Sequence, residues 1–295
     1  MIAIDPSQTS VPHVHRTLLG AVGPRPIAFA STINSKGEPN LAPFSFFNAF
    51  GANPATLVFS PSRRGRDNTT KDTFENLKEV PEVVINAVNF SIVQQMNLAS
   101  TEYPKGVNEF LKSGLTPLPS EKIRPFRVKE SPAQFECRVR DIIETGDQGG
   151  AGNLVICDVL LIHLDEDILD DKGLIDPARI DLVGRLGGDF YCRANGDALF
   201  VLEKPHKNLG VGIDALPDRI KYSDYLSGND LGKLGNIAQL PSDEEIAALK
   251  KELHLENVLD KHSGEERQRM VANVAKDYLE KNEAAEALKV LLGYL

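Results

Sequence analysis

Six segments between residues 24 and 166 constrain the fold of this chain more than anything else in it. PIAFASTI (26–33), NLAPFSFFNAF (40–50), ATLVFS (55–60), EVVINAV (82–88), AQFECRVRDIIE (133–144) and NLVICDVLLIHLDE (153–166) are rich in Val, Ile and Phe and bounded by turn residues. That is the composition of strands. NSKGEPN, between the first two, has the residues of a hairpin connection. Only short helical segments intervene: KDTFENLKEV (71–80), and SIVQQMNLAS (91–100), where Ser91 followed by Gln94 predicts a capping box. Many strands with few helices favour a closed antiparallel barrel over a doubly wound parallel sheet.

Beyond about residue 195 the pattern turns helical. PSDEEIAALKKELHLENVL opens with Ser242 and Glu245, and SGEERQRMVANVAKDYLEKNEAAEALKVLLGYL with Ser263 and Glu266. Met270, Val274, Leu279, Ala285, Leu288 and Leu292 recur at roughly helical spacing. The expected organisation is a barrel domain over 1–195 and a helical extension over 196–295, packing on the barrel or on a partner.

Composition narrows the function. No apolar run approaches the roughly 18 residues of a membrane span, and the N-terminus has no basic segment followed by an apolar one. Three cysteines without a CxxC pair argue against a disulfide framework or a zinc site. A soluble protein of the reducing cytoplasm is expected. The net charge of -9 argues against nucleic acid and anionic membranes as partners. An anionic ligand therefore needs a local positive site.

The sequence lacks GxGxxG, GxxxxGK[ST], HExxH and GxSxG. His13-Val14-His15 could put two imidazoles on one face of a strand, but nothing nearby supplies a third metal ligand, so the segment reads as a mobile arm. GRLGGDFY (184–191) and GDQGGAG (146–152) read as turns, without the strand-turn-helix context of a phosphate cradle. SRRGRDNTTKDT (62–73) differs. Between Arg63 and Lys71, the four cations Arg63, Arg64, Arg66 and Lys71 face a single anion, Asp67, and Ser62, Thr69, Thr70 and Thr73 add hydroxyls around a helix start. Taken alone, this segment suits a solvated turn as well as a phosphate site.

If extended, LAPFSFFNAF (41–50) puts rings beside the Asn48 amide on one face and a ring beside the Ser45 hydroxyl on the other. Flavin mononucleotide would account for both stretches. Its phosphate, carrying about −1.5 to −2 charges, needs Arg, Lys and Thr donors. Its ring system needs an apolar wall with polar groups at its edge.

The run GPRPIAFASTINSKGEPNLAPFSFFNAF, followed by PATLVFSPSRR, TTKDTFENLKEVPEVVINAV, ESPAQFECRVRDIIETGD, NLVICDVLLIHLDE and RIDLVGRLGGDFY, resembles the flavin reductase-like family of FMN-binding split barrels. The resemblance spans about residues 12 to 195. It implies a mainly β fold with added helices: a homodimeric split β-barrel holding non-covalent FMN near the subunit interface, here with a C-terminal helical extension. It further implies hydride transfer from NADH or NADPH to flavin, with reduced flavin serving an oxygenase or another acceptor. Carried over by motif, Ser31, Thr32, Ser45, Phe46, Phe47 and Asn48 border the flavin, and the segment holding Ser62, Arg63, Arg64, Arg66, Thr70, Lys71 and Thr73 holds the phosphate. Within the strand, Phe46 is expected to face the core with Phe44 and Phe50, and Phe47 the pocket. The cofactor carries the chemistry, so no catalytic side chain is required. Two rivals stand beside this reading: a flavin-binding redox or partner-binding protein without turnover, and an oxidoreductase that keeps FMN while acting on an organic substrate.

Overall fold

All six residues of AFASTI are buried, which places this strand between partners on both sides. The chain's strands are β1 (Ala28–Ile33), β2 (Pro39–Phe44), β3 (Phe47–Ala52), β4 (Ala55–Phe59), β5 (Glu82–Asn86), β6 (Pro117–Leu118), β7 (Arg127–Val128), β8 (Ala133–Glu144), β9 (Asn153–Leu164), β10 (Val183–Arg185) and β11 (Tyr191–Arg193). Its helices are α1 (Val11–Ala21), α2 (Asp72–Glu79), α3 (Val93–Ala99), α4 (Glu109–Ser113), α5 (Pro177–Ile180), α6 (Asp218–Lys221), α7 (Gly228–Gly235), α8 (Asp243–Leu253), α9 (Glu256–Leu259), α10 (Gly264–Glu280) and α11 (Ala284–Tyr294). This computed structural model describes residues 1–202 and 209–295. It divides into two units, Met1–Phe200 and Val201–Leu295.

The first unit is built on a seven-stranded antiparallel sheet in the order β2-β1-β5-β8-β9-β4-β3. Ala28 and Ala30 of β1, Phe44 of β2, Phe59 of β4, Val83 of β5, Cys137 of β8 and Val155 of β9 share one buried cluster. Side chains from both ends of the order meet there, so the sheet curls around a core. The terminal strands β2 and β3 lie at opposite ends of the order, joined only by Ser45 and Phe46. The barrel is split rather than closed. The other face of β1 and β2 is covered by α3 and α4 through Phe29, Leu41, Met96 and Phe110.

Several expectations from sequence are corrected here. Residues 40–50 form not one strand but two, because the chain leaves β2 after Phe44 and enters β3 at Phe47. The alternation of side chains assumed across that stretch is therefore interrupted. His13 and His15 lie on α1, two apart on a helix, hence on different faces rather than one face of a strand. Among the described residues no group of three or more His, Cys, Asp or Glu is placed to hold a metal ion. Ser91 sits inside a 3-10 turn and its hydroxyl donates to Asn89 at 2.7 Å, so it caps nothing in α3.

The second unit has its own core, in which Ile220, Leu234, Val271, Ala275, Leu279, Leu288 and Leu291 are buried together. The reciprocal cap of Ser242 and Glu245 on α8 is present, whereas Ser263 makes no side-chain cap on α10. The last helical stretch is two helices, broken at Asn282, whose φ of 62° is left-handed. Residues 203–208, within the extension expected from sequence, lie outside the described residues. No helix is long and apolar enough to cross a membrane among the described residues.

Candidate functional site

The cationic segment begins where β4 stops. Pro61 offers no N–H to continue the ladder, and three contacts fasten the turn. The Ser60 N–H donates to the Phe46 carbonyl at 2.9 Å, the Asn153 N–H to the Ser60 hydroxyl at 3.0 Å, and the Asn153 amide to the Pro61 carbonyl at 2.9 Å. The first of these sets the ring-bearing stretch beside the start of the cationic one. Ser62 lies with its hydroxyl 3.4 Å from that of Ser60. The Arg63 N–H donates to Ala151 at 2.9 Å and the Gly150 N–H returns to Arg63 at 3.1 Å, so the loop pairs with the β8–β9 turn. A Cβ at Gly149 would stand 3.1 Å from the carbonyl oxygens of Arg64 and Gly65. The glycines of GDQGGAG thus allow two backbones to approach.

Within the loop the four cations divide. Arg63 turns inward, donating from Nε to the Asn68 side chain at 2.7 Å and from its terminal nitrogen to the Asn68 carbonyl at 2.9 Å. It holds the loop's shape, with Asn68 itself at a left-handed φ of 58°. Arg64, Arg66 and Lys71 converge instead on the Glu102 carboxylate. Arg64 Nε is 3.4 Å and Lys71 Nζ 3.5 Å from it, and Arg66 forms a direct hydrogen bond. The Arg66 hydrogen bond and the nearby Lys71 and Arg64 charges hold the Glu102 carboxyl below its usual range. Asp67 accepts from the Thr69 hydroxyl at 2.6 Å and from its N–H at 3.0 Å, which lowers its pKa to about 2. Arg64 also donates to the Thr69 hydroxyl, at 3.0 Å, and to the Thr70 carbonyl, while the Thr70 hydroxyl donates to Glu75.

Thr73 has a different partner. It is buried in α2, where its hydroxyl accepts from the Asn40 amide at 2.9 Å. The same amide reaches the Thr32 hydroxyl at 3.1 Å, which also accepts from Asn76 at 3.2 Å. Thr32 and Thr73 therefore belong to a polar cluster joining β1, β2 and α2. Ser31, next to Thr32, points to the opposite face of β1. It is fully buried, and its hydroxyl has no hydrogen-bond partner.

In the interstrand break, Ser45 accepts from Arg25 Nε at 3.4 Å. The Phe46 ring is 38% exposed and meets His15 edge to face at 6.3 Å. Phe47 pairs with Phe59 in the β3–β4 ladder and packs half-buried on the barrel core. This reverses the expectation for the two rings, because the break after Phe44 removes Phe46 from the face that carries Phe44. Asn48 is exposed and its side-chain oxygen accepts from the Ala49 N–H at 2.8 Å.

Sequence reasoning missed Arg25, Asn153 and Glu102. Arg25 is 4% exposed and donates to the carbonyls of Leu19 and Val22 at the end of α1 and to Leu186 at 3.0 Å. It anchors α1, the β10–β11 turn and Ser45 at once. Burial, and then the charge of Arg185, lowers its pKa. Its signal was a lone arginine between prolines in GPRP. Asn153 keeps one buried oxygen without a partner at the base of the cationic turn. A cavity of about 450 Å³ opens between α3 and the β10–β11 hairpin, with Gln94, Asn97 and Tyr191 in its wall. Arg185 stacks on Tyr191 at 4.5 Å and Arg193 on Phe90 at 4.0 Å in the same wall.

The chemistry of this donor set fits a phosphate: two guanidiniums and an ammonium already gather around one carboxylate. The chain belongs to the flavin reductase-like family: residues 21–179, more than half of it, match the model of the flavin reductase like domain. Among solved structures it is similar to nitrilotriacetate monooxygenase component B from Bacillus cereus, at 30% identity over 68% of this chain and 98% of that one, with a TM-score of 0.64. It is also similar to the 2-nitrobenzoate 2-nitroreductase NbaA of Pseudomonas fluorescens, at 28% identity over 68% and 96% of the two chains, with a TM-score of 0.60. A split barrel domain protein from Shewanella frigidimarina aligns at 27% identity over 67% and 95%, with a TM-score of 0.57. The fold is thus a split barrel of flavin-related oxidoreductases, with C-terminal helices beyond the matched domain.

Proposed function

We propose that the protein binds FMN and passes a hydride from NADH or NADPH to it, as a flavin reductase. The observation that carries this is the convergence of Arg64, Arg66 and Lys71 on a single anion in the loop after β4. These three side chains would hold the FMN phosphate, with the Thr70 hydroxyl beside them. Arg63 and Ser62 shape the loop, Arg63 through Asn68. The exposed Phe46 ring, with Ser45 and Asn48, would border the flavin ring system, and the Ser60 to Phe46 hydrogen bond keeps ring wall and anion loop in register. Thr32 and Thr73 act indirectly, by fixing α2 against β1 and β2. Bound flavin supplies the capacity to accept and donate a hydride, and no side-chain acid is required for that.

The cavity between α3 and β10–β11 offers aromatic faces and two guanidiniums to a planar anionic ligand, which suits a nicotinamide nucleotide. A homodimer is part of the proposal. Phe50 is 67% exposed on β3 and Ile162 50% exposed on β9, apolar surface of the kind that a second copy covers. We further propose a cytoplasmic location and a partner, an oxygenase or another acceptor, that takes reduced flavin, given the similarity to component B of a monooxygenase.

A second reading follows from the similarity to a nitroreductase: FMN stays bound and an organic substrate is reduced. Steady-state oxidation of NADH and NADPH with and without added FMN tests both. Turnover that rises and saturates with free FMN supports the reductase; turnover that needs an organic acceptor and ignores free flavin supports the second reading; no oxidation under any condition refutes both.

A further inference from the structure

Glu102 follows α3 in a segment that belongs to no helix or strand, and its side chain is 41% exposed. It nevertheless meets Arg64, Arg66 and Lys71 together. The other nearby acids are engaged elsewhere. Asp67 closes its turn through Thr69, with one contact to Arg66 at 3.3 Å, and Glu75 accepts from Thr70. We infer that Glu102 is an internal competitor for the ligand phosphate, a residue that sets how tightly this loop holds FMN and how strongly it prefers FMN to unphosphorylated flavin. The inference rests on the phosphate reading of the loop given above.

Three like charges held this close repel one another, and an interposed carboxylate keeps them assembled when no ligand is bound. The same carboxylate is replaceable. Ion pairs at such exposure are individually weak. A phosphate of about −1.5 to −2 charges offers three acceptor oxygens in place of two, and arginine engages it bidentately. With Glu102 in place the cluster sets three cations against two carboxylates; once Glu102 swings away it sets three against one, which matches a dianion. Unphosphorylated flavin gains nothing from that exchange, so the competition acts on FMN alone. FMN held this way is exchangeable, as suits a flavin that leaves to serve another protein.

Dissociation constants of FMN and riboflavin, measured by flavin fluorescence on the full chain for the wild type, Glu102→Gln and Lys71→Ala, test the inference. Glu102→Gln is expected to tighten FMN roughly three- to tenfold and leave riboflavin unchanged. Weakened FMN binding by Lys71→Ala, together with unchanged or weakened FMN binding by Glu102→Gln, would overturn the competitor role while leaving the phosphate site in place. Lys71→Ala and Glu102→Gln both without effect on FMN would remove the phosphate site and the inference with it. Equal tightening of FMN and riboflavin would also overturn it, since the effect would not involve the phosphate.

Discussion

Phe46 and Phe47 are adjacent, yet truncating them should have opposite consequences. Phe47 is half-buried on the barrel core and faces Phe59 across the ladder. Complete removal of a buried phenylalanine side chain costs about 3 to 5 kcal/mol. Scaled for partial burial, Phe47→Ala should cost about 2 to 3 kcal/mol, a fall in Tm on the order of 5 to 10 °C for a unit of this size. Phe46 is 38% exposed and meets the His15 ring edge to face at 6.3 Å. Phe46→Ala should change stability by less than about 1 kcal/mol. Its effect should fall on FMN, where a lost ring contact of about 0.5 to 1.5 kcal/mol weakens binding roughly two- to tenfold. Thermal melts of the flavin-free proteins, set beside their FMN dissociation constants, decide the matter. A Phe46→Ala protein that melts as low as Phe47→Ala with unchanged FMN affinity would refute this account of the interstrand break.

Further predictions follow from other sites. Lys71→Ala should weaken FMN by about tenfold with little change in Tm, since one charge-assisted contact to the phosphate is lost; titration by fluorescence reads both FMN and riboflavin. Glu136 is buried, accepts from the N–H groups of Glu121 at 2.8 Å and Lys122 at 2.6 Å, and lies 2.7 Å from His163 Nε2. Burial pushes its carboxyl up, but these partners outweigh burial and hold it below the ordinary value. The unfolded chain therefore takes up this proton first: the stabilisation is complete above the unfolded pKa and is lost as pH falls through the folded one. Glu136→Gln should cost about 3 kcal/mol near neutrality, and its deficit should shrink in urea melts at acid pH. Each unit has its own core, so a chain ending at residue 200 should fold and bind FMN, as sedimentation and flavin titration would report.

The strands were legible because buried β segments demand Val, Ile and Phe in runs, and their antiparallel pairing followed from how few helices separate them. The break inside LAPFSFFNAF was not legible. A two-residue link between β2 and β3 leaves no glycine or proline at Ser45-Phe46, so composition reads straight through it. Helix α1 was missed although Val11, Val14 and Leu18 recur at helical spacing, because the alternation of His13-Val14-His15 also fits an extended segment. The cationic loop stood out as a local excess of charge in an acidic chain. Its division of labour did not, since Arg63 is turned inward by Asn68, and Glu102, which gathers the other three, lies far away in sequence. Thr32 and Thr73 carry the hydroxyls a phosphate site would want, but burial commits them to Asn40.

The central claim, FMN reduced by a nicotinamide nucleotide on this barrel, is tested most directly by anaerobic mixing of the FMN-loaded protein with NADH and, separately, with NADPH. The blue absorption band of the flavin is followed in time. The account predicts that one nucleotide or both bleach the band in a saturable, enzyme-dependent reaction, far faster than with free FMN alone. A loaded protein whose flavin band is untouched by either nucleotide would contradict it.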